Sequence, residues 1–382
     1  MDNKKNIPII SQLKSLFTKV PSPETENEPN ELPPAIASSL NQAIKKLPCH
    51  PKYITILQST LDEALSQWQE NPEANELVIL SSSIEPLPQI LQTSLTDWNH
   101  QNLNQIKLLS WSNRPKNFSR IVPQLQKKLE LSEKLDIDHN SGNFQELVVI
   151  PCLEFCFLRH IHGLDGIEFL RNRIFKDHSR FWLIGCNTLT WQYLDHIYSI
   201  NSYFEKTLVL PNLEGAELQE LLAPVIAKLD FSCSQETTEK QSTKIQEHFD
   251  NLCHVAKGSS SVSVHLWLQS LTVANTENFN DQNNESQDEQ PTLVKYNKLK
   301  LLDLPDLTAD DRYLLFSMLL HREINLSNLA LSLGESESRI QFQIQKLLRL
   351  GIIQRFNNLL SVCPAHYPKL RKHLKNYNFI TD

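Results

Sequence analysis

Glycine is scarce in this sequence: eight of its 382 residues are glycine, and the first of them is Gly142. Loops that cradle phosphates need glycine, because their backbone takes positive φ angles and approaches the ligand closely. The first 141 residues therefore hold no standard nucleotide-binding fingerprint. The later glycines do not supply one, since neither G-x-x-x-x-G-K-S/T nor G-x-G-x-x-G occurs.

Long apolar runs and a secretion signal are also missing. No run of about 18 apolar residues occurs, so the sequence predicts no membrane span. The opening MDNKKNIPIISQLKSLFTKV lacks the long apolar core and the small-residue cleavage site of a signal peptide. The seven cysteines are scattered without a disulfide framework, which favours a reducing, cytoplasmic location.

The opening segment does contain apolar residues at helical spacing. Ile9, Ile10, Leu13, Leu16 and Phe17 fall roughly on one face of a helix. We expect a helix docked on its own protein or a frayed tail, with a helix that binds a membrane surface or a partner as the alternative. Association with a membrane is not the expected role.

Charge is unevenly distributed along the chain. The net charge is -7, but residues 296–382 carry 12 Lys and Arg against 8 Asp and Glu, which leaves 25 against 36 in the rest. A basic C-terminal region therefore follows an acidic body.

Short apolar segments alternate with helical patterns in the first half of the chain. The strand-like segments are 77–80, 106–111, 146–151, 180–186 and 206–211. Helical patterns follow near 86–98, 117–130, 153–176 and 189–200. This alternation predicts an α/β fold with a mostly parallel sheet covered by helices on both faces.

The composition also suggests where the domains divide. We predict an N-terminal helix and flexible lead-in, an α/β core, a helical lid, a polar linker and a C-terminal domain. Their boundaries are 1–50, 51–212, 213–273, 274–295 and 296–382.

The C-terminal region has the pattern of a winged helix-turn-helix. Thr308 is a typical helix cap, with Asp310 and Asp311 in the first turn. Two further helices end at Gly334 and Gly351, and IIQRFNNLLSVCP then predicts a β-hairpin around Asn357–Asn358. Three short helices followed by a hairpin predict a winged helix.

Several stretches resemble motifs of the AAA+ and related STAND-type P-loop ATPases over about residues 50–382. ELVILSSSIEPLPQILQ occupies the Walker A place, and QELVVIPCLEFCFLRH the Walker B place. RFWLIGCNTLTWQYLD is similar to the sensor strand, and NLCHVAKGSSSVSVHLWLQSL to the last lid helices. The resemblance implies a P-loop-NTPase-like parallel sheet core with a helical lid, plus a C-terminal winged-helix domain.

The residues that perform the family's chemistry are replaced in these stretches. The phosphate loop offers Ser81, Ser82 and Ser83 in place of glycine and lysine, while Glu85 adds repulsion and Pro86 and Pro88 each lack an N–H.

The other nucleotide motifs depart from the family in the same way. Glu154 is the carboxylate nearest the Walker B strand end, and Asn187 stands at the sensor tip. Serines follow Gly258, where the resemblance implies an arginine. We therefore predict a nucleotide-pocket remnant made of Ser81, Ser82, Ser83, Glu154 and Asn187.

These departures favour a non-catalytic pseudo-ATPase that regulates or scaffolds through protein contacts, with no catalytic residues and no cofactor. The first alternative is an active ATPase that binds ATP and Mg²⁺ through a non-standard loop. The second is a DNA-binding regulator. The sequence specifies neither the partner nor the oligomeric state.

Two further groups of residues are candidate sites. Cys152, Cys156 and His160 recur every four residues, so a helix would stack them as zinc ligands, but we expect a buried helix face and no metal. The second group is basic and could contact nucleic acid or a partner. It comprises Arg339, Lys346, Arg349, Arg355, Lys369, Arg371, Lys372 and Lys375.

Overall fold

The computed structural model describes residues 32–96, 98–99, 103, 105–109, 114–135, 146–227, 229, 238–273 and 294–380. The N-terminal amphipathic pattern and the polar segment 274–291 lie outside these residues. Within the described ranges, no helix is long and apolar enough to cross a membrane.

The helices of the described residues are numbered in chain order. They are α1 Pro34–Ile44, α2 Pro51–Glu70, α3 Leu87–Thr96, α4 Ile121–Leu135, α5 Asp165–Lys176, α6 Thr188–Tyr198, α7 Gly215–Ile226, α8 Thr238–Ala256, α9 Ser260–Ser270, α10 Ala309–His321, α11 Leu326–Leu333, α12 Glu337–Arg349 and α13 Tyr367–Asn376.

Five parallel strands form the central sheet. They are β1 Glu76–Ser81, β2 Gln105–Leu108, β3 Glu146–Ile150, β4 Arg180–Asn187 and β5 Thr207–Val209. Their spatial order is β2-β3-β4-β1-β5, and every neighbouring pair runs parallel. The predicted α/β fold with a parallel sheet is confirmed.

Alternate residues of the inner strands feed two separate apolar layers, because successive side chains point to opposite faces of a sheet. Val78, Val148 and Trp182 pack in the layer that contains α4, α5, α6 and the C-terminal helices. Leu77 and Leu147 pack in the layer that contains α1, α2, α3, α7, α8 and α9. The central strands are therefore buried on both faces, which explains their nearly continuous apolar sequence.

The segment after β3 is not the helix that its pattern predicted. A short 3-10 helix spans Leu153–Cys156, and the α-helical part begins only at Asp165. Between them the chain closes a tight loop, in which the Leu158 N–H donates to the Gly163 carbonyl at 2.9 Å. A Cβ on Gly163 would lie 2.0 Å from the Leu158 carbonyl oxygen, so the loop depends on this glycine.

This loop changes the interpretation of the cysteines. Cys152, Cys156 and His160 do not share a helix face. Across the described ranges, no group of three or more His, Cys, Asp or Glu side chains could hold a metal ion.

The C-terminal module comprises α10 to α13 with three short strands. The strands are β8 Ile324–Asn325, β9 Ile353–Phe356 and β10 Leu359–Val362, in the order β8-β10-β9. Thr308 and Asp311 form a capping box at the start of α10, and Gly334 ends α11 in the left-handed region. The two-residue turn joining β9 to β10 has Asn357 at φ 54, which suits a hairpin turn.

One pair of strands was not predicted from the sequence. β6 Leu271–Val273 and β7 Val294–Tyr296 pair antiparallel on either side of residues 274–293. Val273 and Val294 are register partners.

We predict that Gly258→Ala destabilises the fold more than Gly351→Ala. Both glycines have positive φ, near 70°, so alanine costs about 1–2 kcal/mol at either site. At Gly258 the new Cβ would also lie 2.1 Å from the Asn212 Cβ, whereas nothing lies within 4 Å at Gly351. Overpacking should add about 1–3 kcal/mol at Gly258.

Urea unfolding of the two variants measures this difference directly. Equal losses of unfolding free energy would show that the contact between Gly258 and Asn212 does not constrain the fold.

Candidate functional site

The carboxyl edge of the parallel sheet brings the predicted remnant residues together. Ser81 ends β1 and Asn187 ends β4, and the two are register partners in adjacent strands. In open α/β sheets, ligands bind at the carboxyl ends of the strands. This edge is therefore the place to test for a functional site.

Asn187 is fully engaged with its surroundings. Its Oδ1 accepts hydrogen bonds from the Thr190 N–H at 2.8 Å, as the N-cap of α6, and from the Ser83 hydroxyl at 3.2 Å. Its Nδ2 donates to the Leu320 carbonyl of α10 at 3.4 Å. The side chain joins two core segments to the C-terminal module.

Glu154 is 1% exposed and both carboxylate oxygens have partners. Oε1 accepts from the Asn187 N–H at 2.6 Å, and Oε2 accepts from the Cys152 thiol at 3.0 Å. Burial, followed by the charge of Glu154, raises the pKa of that thiol well above its usual range, so Cys152 remains a donor. The carboxylate thus links Cys152, which follows β3, to Asn187 at the end of β4.

Glu85 has structural partners that the sequence did not predict. It precedes α3 and is 3% exposed, yet its carboxylate is surrounded by donors. Oε2 accepts from the Ser259 hydroxyl at 2.8 Å, and Oε1 accepts from the hydroxyls of Ser260 and, at 3.4 Å, Tyr53. Burial raises its pKa, an effect that the serine hydrogen bonds oppose.

Ser259 and Ser260 explain what this carboxylate does. Ser259 is the N-cap of α9, so Glu85 places a carboxylate at a helix N-terminus, where the helix dipole favours an anion. The serines that follow Gly258 thus bind an internal carboxylate. The three serines after Gly258 are visible in the sequence, but Glu85, to which Ser259 donates, lies 174 residues away.

The end of α10 inserts into this edge. The Leu320 carbonyl accepts hydrogen bonds from the Thr190 hydroxyl and the Asn187 amide. The Arg322 guanidinium donates to the Glu85 carbonyl. Arg322 has φ 61 and ψ -61, and the Glu323 N–H reaches the His321 carbonyl at 2.6 Å across it. This is the geometry of a γ-turn, a strained conformation for a residue with a side chain.

His321 is completely buried beside two arginines. A guanidinium nitrogen of Arg114 lies 3.2 Å from its Nδ1, and the Arg159 N–H lies 3.3 Å from its Nε2. Both neighbours are donors; a neutral ring accepts from one of them, whereas a protonated ring could accept from neither. Burial and then the charges of Arg114 and Arg159 hold the His321 pKa well below its usual range.

A cavity of about 430 Å³, lined in part by serines and charged side chains, lies between the ends of β1 and β5, the turn from α8 to α9, and α13; we call it the polar cavity. Ser81 and Ser82 line it at the end of β1, Lys257 in the turn between α8 and α9, and Tyr367 and Arg371 in α13. The Ser82 hydroxyl has no hydrogen-bond partner among the described residues. Glu85 also lines this cavity, so its carboxyl competes with any anion for the same donors.

The predicted basic contacts are distributed differently. Arg339 is bonded to Glu335 at 2.9 Å, Lys346 to Asp311 at 2.8 Å, and Lys369 to Asp303 at 2.5 Å. Arg371 faces the polar cavity. The remaining predicted contacts are Arg349 at the end of α12, Arg355 in β9, and Lys372 and Lys375 in α13.

No protein-family model matches the chain, and no curated protein matches it. Cdc6p from Pyrobaculum aerophilum aligns with 88% of this chain and 96% of its own length, at 10% identity and a TM-score of 0.36. A Walker-type ATPase of Pyrococcus abyssi aligns with 81% and 94%, at 11% identity and a TM-score of 0.33. A chain of the Drosophila ORC structure, bound to AT-rich DNA and Cdc6, aligns with 67% of this chain and 45% of its own length, at 15% identity and a TM-score of 0.36.

We predict that His321→Gln reduces the loss of unfolding free energy as the pH falls. As pH falls from about 6.5, the unfolded chain protonates this ring first, because the folded state lowers its pKa. The native protein therefore loses unfolding free energy below that pH. The variant lacks this titration, so its slope should be smaller by up to about 1.4 kcal/mol per pH unit.

Urea titrations between pH 7 and pH 5 measure the slope, and His254→Gln on the exposed side of α8 is the matched control. Parallel pH profiles for native protein and His321→Gln would contradict the prediction.

Proposed function

We propose that this protein is a non-catalytic pseudo-ATPase, which regulates or scaffolds through protein contacts. The observation that carries the proposal is the occupation of the sheet edge by the chain's own groups. The Glu85 carboxyl lies at the N-terminus of α9, Leu320 of α10 accepts from Asn187, and Arg322, which follows α10, donates to the Glu85 carbonyl.

The arrangement does not suit phosphoryl transfer. Such catalysis needs converging cationic or N–H groups on the phosphates and a carboxylate that can orient water. Both carboxylate oxygens of Glu154 accept hydrogen bonds from the protein. The Arg322 guanidinium donates to the backbone carbonyl of Glu85. A phosphate brought beside Glu85 would also meet a second anion in a buried place.

The C-terminal module supports a role in protein contacts. Within our proposal it is a winged helix whose inner surface fixes it to the core. Its outer surface exposes Phe342 of α12 and Phe356 of β9, which are 77% and 72% exposed. Exposed aromatic side chains are typical anchors of protein interfaces. Ion pairs already engage Arg339, Lys346 and Lys369, which weakens the case for phosphate contacts.

We expect purified protein to contain no bound nucleotide and to hydrolyse ATP no faster than a buffer control. Glu154→Gln should leave that background rate unchanged, because both carboxylate oxygens are already bonded to protein groups. Coupled phosphate release with Mg²⁺ and ATP measures the rate, and denaturation followed by chromatography measures nucleotide content. Hydrolysis that disappears in Glu154→Gln, but persists in the matched surface variant Glu73→Gln, would establish an active ATPase instead.

A second expectation concerns the exposed aromatic residues. Phe342→Ser with Phe356→Ser should leave urea stability within about 0.5 kcal/mol, since both side chains are mostly in water. The same double variant should lose the proteins that the native chain captures from host extract. Salt-sensitive binding to duplex DNA that falls on neutralising Lys369, Arg371, Lys372 and Lys375 would favour the nucleic-acid alternative.

A further inference from the structure

A half-open apolar pocket, which we call the α1 pocket, lies in the layer that contains α1, α7 and α9. Its volume is about 290 Å³, and its walls come from the end of α1, the turn that follows it, the start of α3, α7 and α9. Its apolar side chains are Ile44, Leu47, Pro48, Ile90, Leu221 and Val264. Ile44 and Leu47 are half-buried and Pro48 is exposed, so part of this apolar wall faces solvent.

Residues 9–17 have the sequence pattern of a helix that binds such a pocket. The apolar residues in this stretch are Ile9, Ile10, Leu13, Leu16 and Phe17. Leu13 lies three or four positions from each of the other four, so a helix places it at the centre of one apolar face. Helices that bind apolar grooves use anchors at this spacing. Isolated helices shorter than about 12–15 residues are marginal in water, so a helix here needs a surface to pack against.

The chain between this stretch and the pocket is long enough to connect them. Fifteen residues lead from Phe17 to Leu32, where the described residues begin, and a flexible chain of that length spans about 20 Å on average. Three prolines in the connection extend it further. The pocket lies at the C-terminal end of α1, which has 11 residues and is therefore about 16 Å long. The tether thus reaches the pocket and holds the segment at about millimolar effective concentration.

The segment and the body of the protein have opposite net charge. Residues 1–20 carry four lysines and one aspartate, whereas residues 21–295 carry 21 Lys and Arg against 35 Asp and Glu. At the pocket, Lys45 lies in the lining, and the exposed Glu220 precedes Leu221 of the wall. The summed charge therefore attracts the segment toward the body, and the apolar face supplies the affinity within the pocket.

We propose that residues 9–17 bind in the α1 pocket as a helix, and that Leu13 and Phe17 are the side chains that fill it. An engineered cavity of about 150 Å³ holds one benzene molecule, so the α1 pocket has room for about two side chains of that size. α1 already packs against α7 and α9. The bound segment extends the same helical layer.

Hydrogen exchange of the full chain, followed by mass spectrometry, tests this site. We expect the amides of residues 9–17 to exchange at least tenfold more slowly in the native protein than in a synthetic peptide of the same residues. Burial of one leucine side chain suffices for a factor of about ten. The measurement is made at two protein concentrations that differ tenfold.

Two double variants test the segment. Leu13→Asp with Phe17→Asp should abolish the protection of residues 9–17, because docking would desolvate two carboxylates. Ser11→Asp with Ser15→Asp is the matched control, since it adds the same charges on the opposite face of the helix. The protection should remain in this control.

Two single variants test the pocket. Leu47→Asp should also abolish the protection, whereas Gln42→Asp, on the exposed side of α1 and outside the pocket lining, should preserve it. Unchanged exchange in α9 shows that the walls remain folded in each variant. Ile44→Asp is the second pocket variant if Leu47→Asp does not fold.

Four results would overturn the proposal. The first is rapid exchange of residues 9–17 in the native protein, and the second is protection that persists in the folded pocket variants. Protection that falls on dilution would show binding to a second copy instead. Protection that requires vesicles of phosphatidylcholine and phosphatidylserine would assign the segment to a membrane surface. The purified chain is measured without nucleotide or host extract, so these outcomes are independent of the experiments on the proposed function.

Discussion

The requirement that buried polar groups be hydrogen-bonded governs the centre of this molecule. A parallel sheet presents the polar ends of its strands and the N-termini of its helices along a single edge, and nothing apolar can cover them without large cost. Here Glu85 meets the hydroxyls of Ser259 and Ser260, and the Leu320 carbonyl meets Asn187 and Thr190. The sheet edge, the N-terminus of α9 and the C-terminal module are joined because each one supplies hydrogen-bond partners to polar groups of another.

This mutual satisfaction holds the sheet edge in a fixed arrangement. The hydroxyls of Ser259 and Ser260 at the N-terminus of α9 oppose the rise in pKa that burial causes at Glu85, and a helix N-terminus favours a negative group. The strained turn at Arg322 supports the same conclusion. A residue with a side chain keeps φ 61 there, because its guanidinium and the neighbouring carbonyls are held by the sheet edge.

Local sequence patterns correctly predicted the features that are set by residues close together in the chain. The capping box of Thr308 and Asp311 and the glycine that ends α11 each depend on neighbours within a few residues. The strands pair with distant residues, but their short apolar runs are visible in the local sequence. The helical interpretation of the segment after β3 was wrong, because its four-residue spacing ignored the tight loop that Gly163 closes onto Leu158. The periodicity of side chains along the sequence cannot predict a backbone contact of that kind.

The sequence by itself determined that the first half of the chain forms a parallel α/β sheet and lacks the glycine and lysine of a phosphate loop. It did not reveal what took their place. From the sequence, Glu85 could be interpreted only as a source of repulsion, because its partners Ser259 and Ser260 lie 174 and 175 residues away. Asn187 likewise donates to the carbonyl of Leu320, which lies 133 residues away. Only the tertiary structure decides such pairs, because hydrogen bonds depend on distance in space and a lone sequence records neighbours along the chain.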